Sequence, residues 1–158
     1  MIQFTAYGVP APKGSTKAFM RPGMKYPVVT ADCKRTKPWA ETVKGAAIDA
    51  VNGNHIPFPD EAVRIEILFK LPRPKTLPRR VVDHLKKPDV DKLTRAVFDA
   101  LKGVVWSDDS QVVSQRSDKV YVRGSEMPCA IVRIDKAATL QESIEIEQLG
   151  LRAMGMGA

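Results

Sequence analysis

An α+β domain, with a mixed β-sheet and helices packed on it, is the fold class that this chain of 158 residues predicts. Three observations carry that expectation. Residues 62–71 (AVRIEILFKL) alternate Val63, Ile65, Ile67 and Phe69 with Arg64, Glu66, Leu68 and Lys70, the two-residue period of a strand. From Asp91 to about Lys102, the residues Leu93, Val97, Ala100, Leu101 and Val104 recur at the spacing of one helix face. The hydrophobic content of 44% is ordinary for a globular chain, and a domain near this size buries about 70% of the surface its unfolded chain exposes. No internal repeat or linker divides the sequence, so residues 1–158 are expected to form a single domain.

The elements follow in order. Residues 2–9 (IQFTAYGV) read as a strand. Residues 10–36 hold Pro10, Pro12, Gly14, Pro22, Gly23 and Pro27 among basic side chains and read as a long functional loop. Trp39, Val43, Ala46, Ala47 and Ala50 mark a helix from Lys37 to about Val51, with Gly53 just past its end. After the strand at 62–71 comes LPRPKTLPRRVVDHLKKP, whose prolines forbid a central strand or long helix; an exposed, mobile segment is expected. Asp89 or Asp91 is placed to cap the helix that follows, and Gly103 to end it. Residues 111–122 and 128–135 read as a strand pair joined by a turn around Gly124-Ser125, and about 140–152 as a further C-terminal helix. The expected order is β-α-β-α-β-β-α.

Charge narrows the partner. The net charge is +7, and it is concentrated. Lys13, Lys17, Arg21, Lys25, Lys34, Arg35, Lys37 and Lys44 face only Asp32 and Glu41 within 13–44. A second basic run spans 70–95 and includes Arg79, Arg80, Lys86, Lys87 and Lys92. Such segments suit a polyanion, so Lys13, Lys17, Arg21, Arg79, Arg80, Lys86, Lys87 and Lys92 are the expected DNA-binding residues. Cys33 and Cys129 stand far apart in no metal-ligand or disulfide pattern. With no apolar run of membrane-spanning length and no signal-peptide pattern, a cytoplasmic protein is expected, with no membrane partner.

The second basic run leads into carboxylates. Asp89 and Asp91 stand two residues apart at a helix start, and the helix returns the chain to Asp108-Asp109. On a helix, two residues would separate the first pair by about 200°; in an extended approach, which Pro88 favours, they would share a side. Carboxylates this close repel one another unless a cation neutralises them. Mg²⁺ takes such oxygen ligands and leaves room for water and phosphate, so Asp89, Asp91, Asp108 and Asp109 are expected metal ligands, at a site that cuts nucleic acid. The alternative is structural: a cap and a dipole-favoured acid at the helix start, and an Asp-Asp turn. Arg95 lies four residues from both Asp91 and Asp99, which suits either a surface ion-pair ladder or a guanidinium held over a scissile phosphate. Arginine does not titrate at ordinary pH, so proton delivery would fall to water or Lys92. A DNA-binding module without catalysis and an enzyme on another phosphate substrate remain alternatives at this point. His55 and His84 lack partners, and Trp106 reads as core sooner than as a stacking platform.

KPDVDKLTRAVFDAL followed by WSDDSQVV resembles the RusA family of Holliday-junction resolvases, found in bacteria and their prophages. The shared pattern is Asp89-Val90-Asp91 at a helix start, Asp99-Ala100-Leu101 near its end, and Asp108-Asp109-Ser110-Gln111-Val112 after a short turn. GVPAPKGSTK and Tyr26 are similar to the family's opening strand and basic loop, and the likeness covers roughly residues 2–135. The resemblance implies an endodeoxyribonuclease that uses Mg²⁺ (with Mn²⁺ as a substitute) and acts as a homodimer on branched DNA in recombination and repair. It carries the catalytic role onto Asp89, Asp91 and Asp109, with Asp108 adjacent and Arg95 in support. Arg95 stands where the family has a lysine, and Lys92 where it often has an asparagine.

Overall fold

The computed structural model describes residues 1–137 except 15, 21, 27, 32, 33, 54 and 79, and for 16–19 and 28–31 the backbone alone. The expected C-terminal helix at about 140–152 lies outside the described residues. The elements are β1 (Ile2–Tyr7), β2 (Thr16–Phe19), β3 (Val28–Ala31), α1 (Thr36–Val51), β4 (Val63–Leu71), α2 (Val90–Leu101), a single 3₁₀ turn (Asp109–Gln111), β5 (Val112–Tyr121) and β6 (Cys129–Lys136). This is the expected α+β architecture with a mixed sheet.

The main sheet runs β1-β6-β4-β5. β4 pairs antiparallel with β6 and parallel with β5, and β6 pairs antiparallel with β1. Along β4, Val63, Ile65, Ile67, Phe69 and Leu71 are buried while their neighbours are not, so the strand's period of two delivers one face to the core. Both helices pack on that face. α1 contributes Trp39, Val43 and Ala47, and α2 contributes Leu93, Ala96, Val97, Ala100 and Leu101 to the same core cluster. Truncating a fully buried leucine such as Leu93 or Leu101 would cost about 2–5 kcal/mol.

Three expectations are corrected. β5 and β6 do not pair with each other, because β4 lies between them. β6 carries apolar side chains such as Ala130, Val132 and Ile134 that need a central position, whereas polar β5 suits the edge. The connection passes over the end of β4, where Val122 N–H donates to the Leu71 carbonyl and Lys70 Nζ meets Glu126 Oε1 at 2.7 Å. The basic loop at 10–36 holds an antiparallel hairpin, β2 with β3; Thr16, Val28, Val29 and Thr30 are β-branched residues that favour strand. The proline-rich segment at 72–88 is tied down. Arg73 donates to the carbonyls of Pro78 and Val81, and Tyr121 N–H to that of Val82, while Lys119 Nζ lies 2.9 Å from both the Lys86 and the Pro88 carbonyl oxygens and donates to them.

The helix ends follow residue chemistry. Asn52, one residue before the expected glycine, takes the left-handed conformation that ends α1 (φ 52°), and Gly103 takes it just past α2 (φ 75°). No atom lies within 4 Å of a Cβ built on Gly103, so its requirement is conformational and not steric. Gly103→Ala is expected to lower the unfolding free energy by about 1 kcal/mol. Urea denaturation would measure it.

Candidate active site

α2 and the turn at Ser107–Gln111 position the acidic residues. Asp89 is the N-cap of α2 with extended backbone (φ −73°, ψ 143°), but its side chain makes no capping hydrogen bond. Val90 already begins the helix, so only Asp89 keeps the extended conformation expected for both aspartates, and Asp91 belongs to the first helical turn. The two carboxylates consequently face different cavities. Asp91 lines a cavity of about 250 Å³ together with Thr94, Arg95, Phe98, Asp99, Asp109 and Gln115. Asp89 lines a neighbouring cavity of about 470 Å³ and has Lys92 Nζ 3.4 Å from its carboxylate.

The Asp108-Asp109 pair is divided in the same way. Asp108 caps the 3₁₀ turn: its side chain accepts from Ser110 N–H, and Lys102 Nζ donates to it. The Lys102 ammonium holds the Asp108 carboxyl well below the usual carboxylate range, and Asp108 in return raises Lys102. Asp109 is half-buried, and Trp106 Nε1 donates to its Oδ1 at 2.9 Å. Trp106 is fully buried and packs edge-on to Phe98, which makes it core, as expected.

Gln111 sets this turn. Its Nε2 donates to the carbonyls of Phe58 and Glu61, each at 3.0 Å, and its Oε1 accepts from Ser107 N–H and Asp108 N–H. Two carbonyls on one side and two N–H groups on the other leave a single amide orientation. With Asp108 it forms a capping box. The Asp-x-x-Gln spacing was the available sequence signal for it. Thr94, buried in α2, donates to the Val90 carbonyl and accepts from Ser117 Oγ, both at 2.9 Å, joining α2 to β5. Thr94, Gln111, Gln115 and Lys119 were not expected as site residues; apart from the spacing that marks Gln111, single polar residues in periodic elements give no signal for such a role.

Arg95 is exposed and forms no ion-pair ladder among the described residues. Asp99 is held instead by Lys13 Nζ at 2.6 Å, and Lys13 N–H donates to the Lys92 carbonyl. This docks the start of the basic loop on α2. Arg80, Lys86, Lys87 and Lys92 are exposed. Arg21, Arg79 and the Lys17 side chain lie outside the described residues.

The structure thus brings Asp91, Arg95, Asp99 and Asp109 to one cavity and leaves Asp89 and Asp108 outside it. Among the described residues, no three His, Cys, Asp or Glu side chains cluster at ligating distance. The donor set still fits Mg²⁺, which binds through one or two carboxylates and otherwise keeps water and phosphate oxygens. Asp91 and Asp109 are two such carboxylates on one cavity.

Residues 9–135 match the family model described as endodeoxyribonuclease RusA. The chain belongs to the RusA family. Its sequence is also similar to the uncharacterized protein YqaN of Bacillus subtilis strain 168, 29% identical over 147 residues that cover 84% of this chain and 94% of YqaN. The family is one of nucleases that hydrolyse DNA internally, and α2 with the Ser107–Gln111 turn lies well inside the matched span. Among the described residues no helix is long and apolar enough to cross a membrane.

Two outcomes test this account of the site. Gln111→Leu would leave the carbonyls of Phe58 and Glu61 without their donor, and is expected to lower stability by about 1–3 kcal/mol in urea denaturation. His84, buried beside β5, has its pKa lowered below 6.5, chiefly by burial. The unfolded chain therefore binds the proton first, so this contribution to stability is complete above about pH 6.5 and declines as pH falls towards the folded value. His84→Gln should flatten that part of the profile of urea midpoint against pH.

Proposed function

We propose that this chain is a Mg²⁺-dependent endodeoxyribonuclease that resolves four-way DNA junctions by paired phosphodiester hydrolysis, in recombination and repair. The observation that carries the reading is the convergence of Asp91 and Asp109 on one cavity with Arg95, within the span that matches the family. The structural alternative, in which the aspartates only cap and turn, accounts for Asp108 and for Asp91 as an acid in the first turn of α2, but gives no reason for Asp91 and Asp109 to share a cavity with Arg95. Asp89 makes no side-chain cap, and Asp109 is turned by Trp106 towards the cavity that Asp91 lines.

Asp91 and Asp109 would hold the divalent ion, and Asp89, the residue before α2, would serve it only through an outer contact from the neighbouring cavity. The bound ion would supply activation of water and charge stabilisation at the phosphate. Trp106 Nε1 fixes the Asp109 carboxylate by one oxygen. Arg95, always charged, offers two N–H groups to non-bridging phosphate oxygens and steadies charge as the phosphate is attacked. Lys92 is an ammonium able to give a proton, and in this structure it is 3.4 Å from Asp89. Lys13, Arg80, Lys86 and Lys87, with Lys17, Arg21 and Arg79, would bind backbone phosphates in a salt-sensitive way.

A homodimer completes the reading, because a two-fold protein matches the approximate two-fold symmetry of a four-way junction and sets one site on each of two strands. The cytoplasm of a bacterium, with a phage or prophage origin for the chain, is the setting this activity implies.

The test is cleavage of a labelled four-way junction in Mg²⁺. Asp91→Asn and Asp109→Asn are each expected to lower the rate about 100-fold or more, since the ion is worth several kcal/mol to such a transition state. Junction binding should persist, because neither change removes a basic side chain that would contact the backbone phosphates. Undiminished cleavage by both variants would overturn the assignment.

A further inference from the structure

The cavity on the other side of the α2 start shares Lys87, Asp89 and Lys92 with the cleavage reading, but its interior has no occupant there. Its volume of about 470 Å³ is that of a small-ligand pocket. Its walls are apolar: Val9, Pro10, Pro12, Leu71 and Pro88. Arg35, Lys87 and Lys92 add three cations to the lining against the single carboxylate of Asp89. His84 also borders it, only 7% exposed, and its buried Nδ1 has no hydrogen-bond partner among the described residues. The ring is held against Tyr121, with centroids 4.5 Å apart. A buried polar atom left unpaired costs stability unless something else pairs with it.

From this lining we infer that the cavity receives one unstacked nucleotide of the cut strand, next to the cleaved phosphate. The assignment rests on the junction-cleavage reading above. Flat aliphatic and proline surfaces suit the faces of a base, one ring nitrogen of the bordering imidazole offers a hydrogen bond to its edge, and the three cations suit its phosphate. Position selects a nucleotide of the bound strand over a free one. Asp89 lines this cavity and Asp91 lines the cleavage cavity, and two residues of chain reach no further than about 7 Å. A base at a branch point is also the least expensive to unstack, since its neighbours are already disturbed.

The experiment places 2-aminopurine, one position at a time, on both sides of the cleaved bond of a four-way junction bound to the Asp109→Asn chain with Mg²⁺. Neither Trp nor Tyr is among the lining residues to quench the base. A rise in emission is expected at one nucleotide next to the cut, and it should vanish in a chain that also carries Val9→Phe, which fills the mouth at an exposed position with a ring that does not itself quench the base. In an otherwise wild-type chain, Val9→Phe is expected to slow cleavage about tenfold, equivalent to about 1.4 kcal/mol. Removing the base at that nucleotide should slow the wild-type chain similarly and leave Val9→Phe unaffected. No rise at any position, or a rise that survives Val9→Phe, would overturn the nucleotide pocket. In that event, normal junction cleavage by the wild-type chain would leave the nuclease reading standing. A wild-type chain that cuts no junction would remove both. The abasic comparison in the wild-type chain alone decides the matter should Val9→Phe fail to fold.

Discussion

The Gln111 amide joins two parts of the chain that sequence separates by some fifty residues. Its two N–H groups hold the carbonyls of Phe58 and Glu61, and its oxygen gathers the N–H groups of Ser107 and Asp108. Every capacity of the side chain is occupied, which leaves the turn one arrangement. The direction of Asp108, the place of Asp109 and the start of β5 all follow from it. β5 then pairs in parallel with β4, so the α2–turn–β5 unit is fixed against the centre of the sheet.

Two adjacent aspartates consequently do different things. Asp108 faces Lys102 and the Ser110 N–H, and charge is its function there. Asp109 is half-buried beneath Trp106, whose indole N–H needs an acceptor once the ring is in the core. Burial of Trp106 therefore aims a carboxylate. The same economy appears at α2: Leu93, Val97 and Leu101 anchor the helix in the core, and Asp91, Arg95 and Asp99 are carried on its opposite side at the helical period.

The segments on either side of α2 are held by backbone contacts, not by their own regular structure. Lys119, on edge strand β5, reaches the carbonyls of Lys86 and Pro88 and so steadies the approach to Asp89. Lys13 N–H and Thr36 Oγ1, the latter 2.7 Å from the Pro12 carbonyl, pin residues 12–13 between the starts of the two helices. Basic side chains that sequence places far apart are thereby gathered around one helix start, where a polyanion would meet them.

Periodicity determined the strands of the main sheet and both helices, but not the β2–β3 hairpin within the basic loop. The alternation of β4, the apolar face of α2 and the glycine after it all appear in the structure where the residues indicate, because each depends on local geometry and burial of one face. The aspartates, too, are legible as a motif, and the family pattern follows from them. Strand order was not legible. Whether β6 lies beside β5 or beyond β4 depends on which strand can afford an open edge, and that is settled by the whole sheet at once. Nor could spacing divide the acidic cluster. Asp89 and Asp91 part because the helix begins between them, and Asp108 and Asp109 part because Lys102 and Trp106 approach from different sides. Sequence determined which carboxylates were available, and tertiary structure decided which of them share a cavity, since a side chain's direction is set by neighbours that sequence does not place.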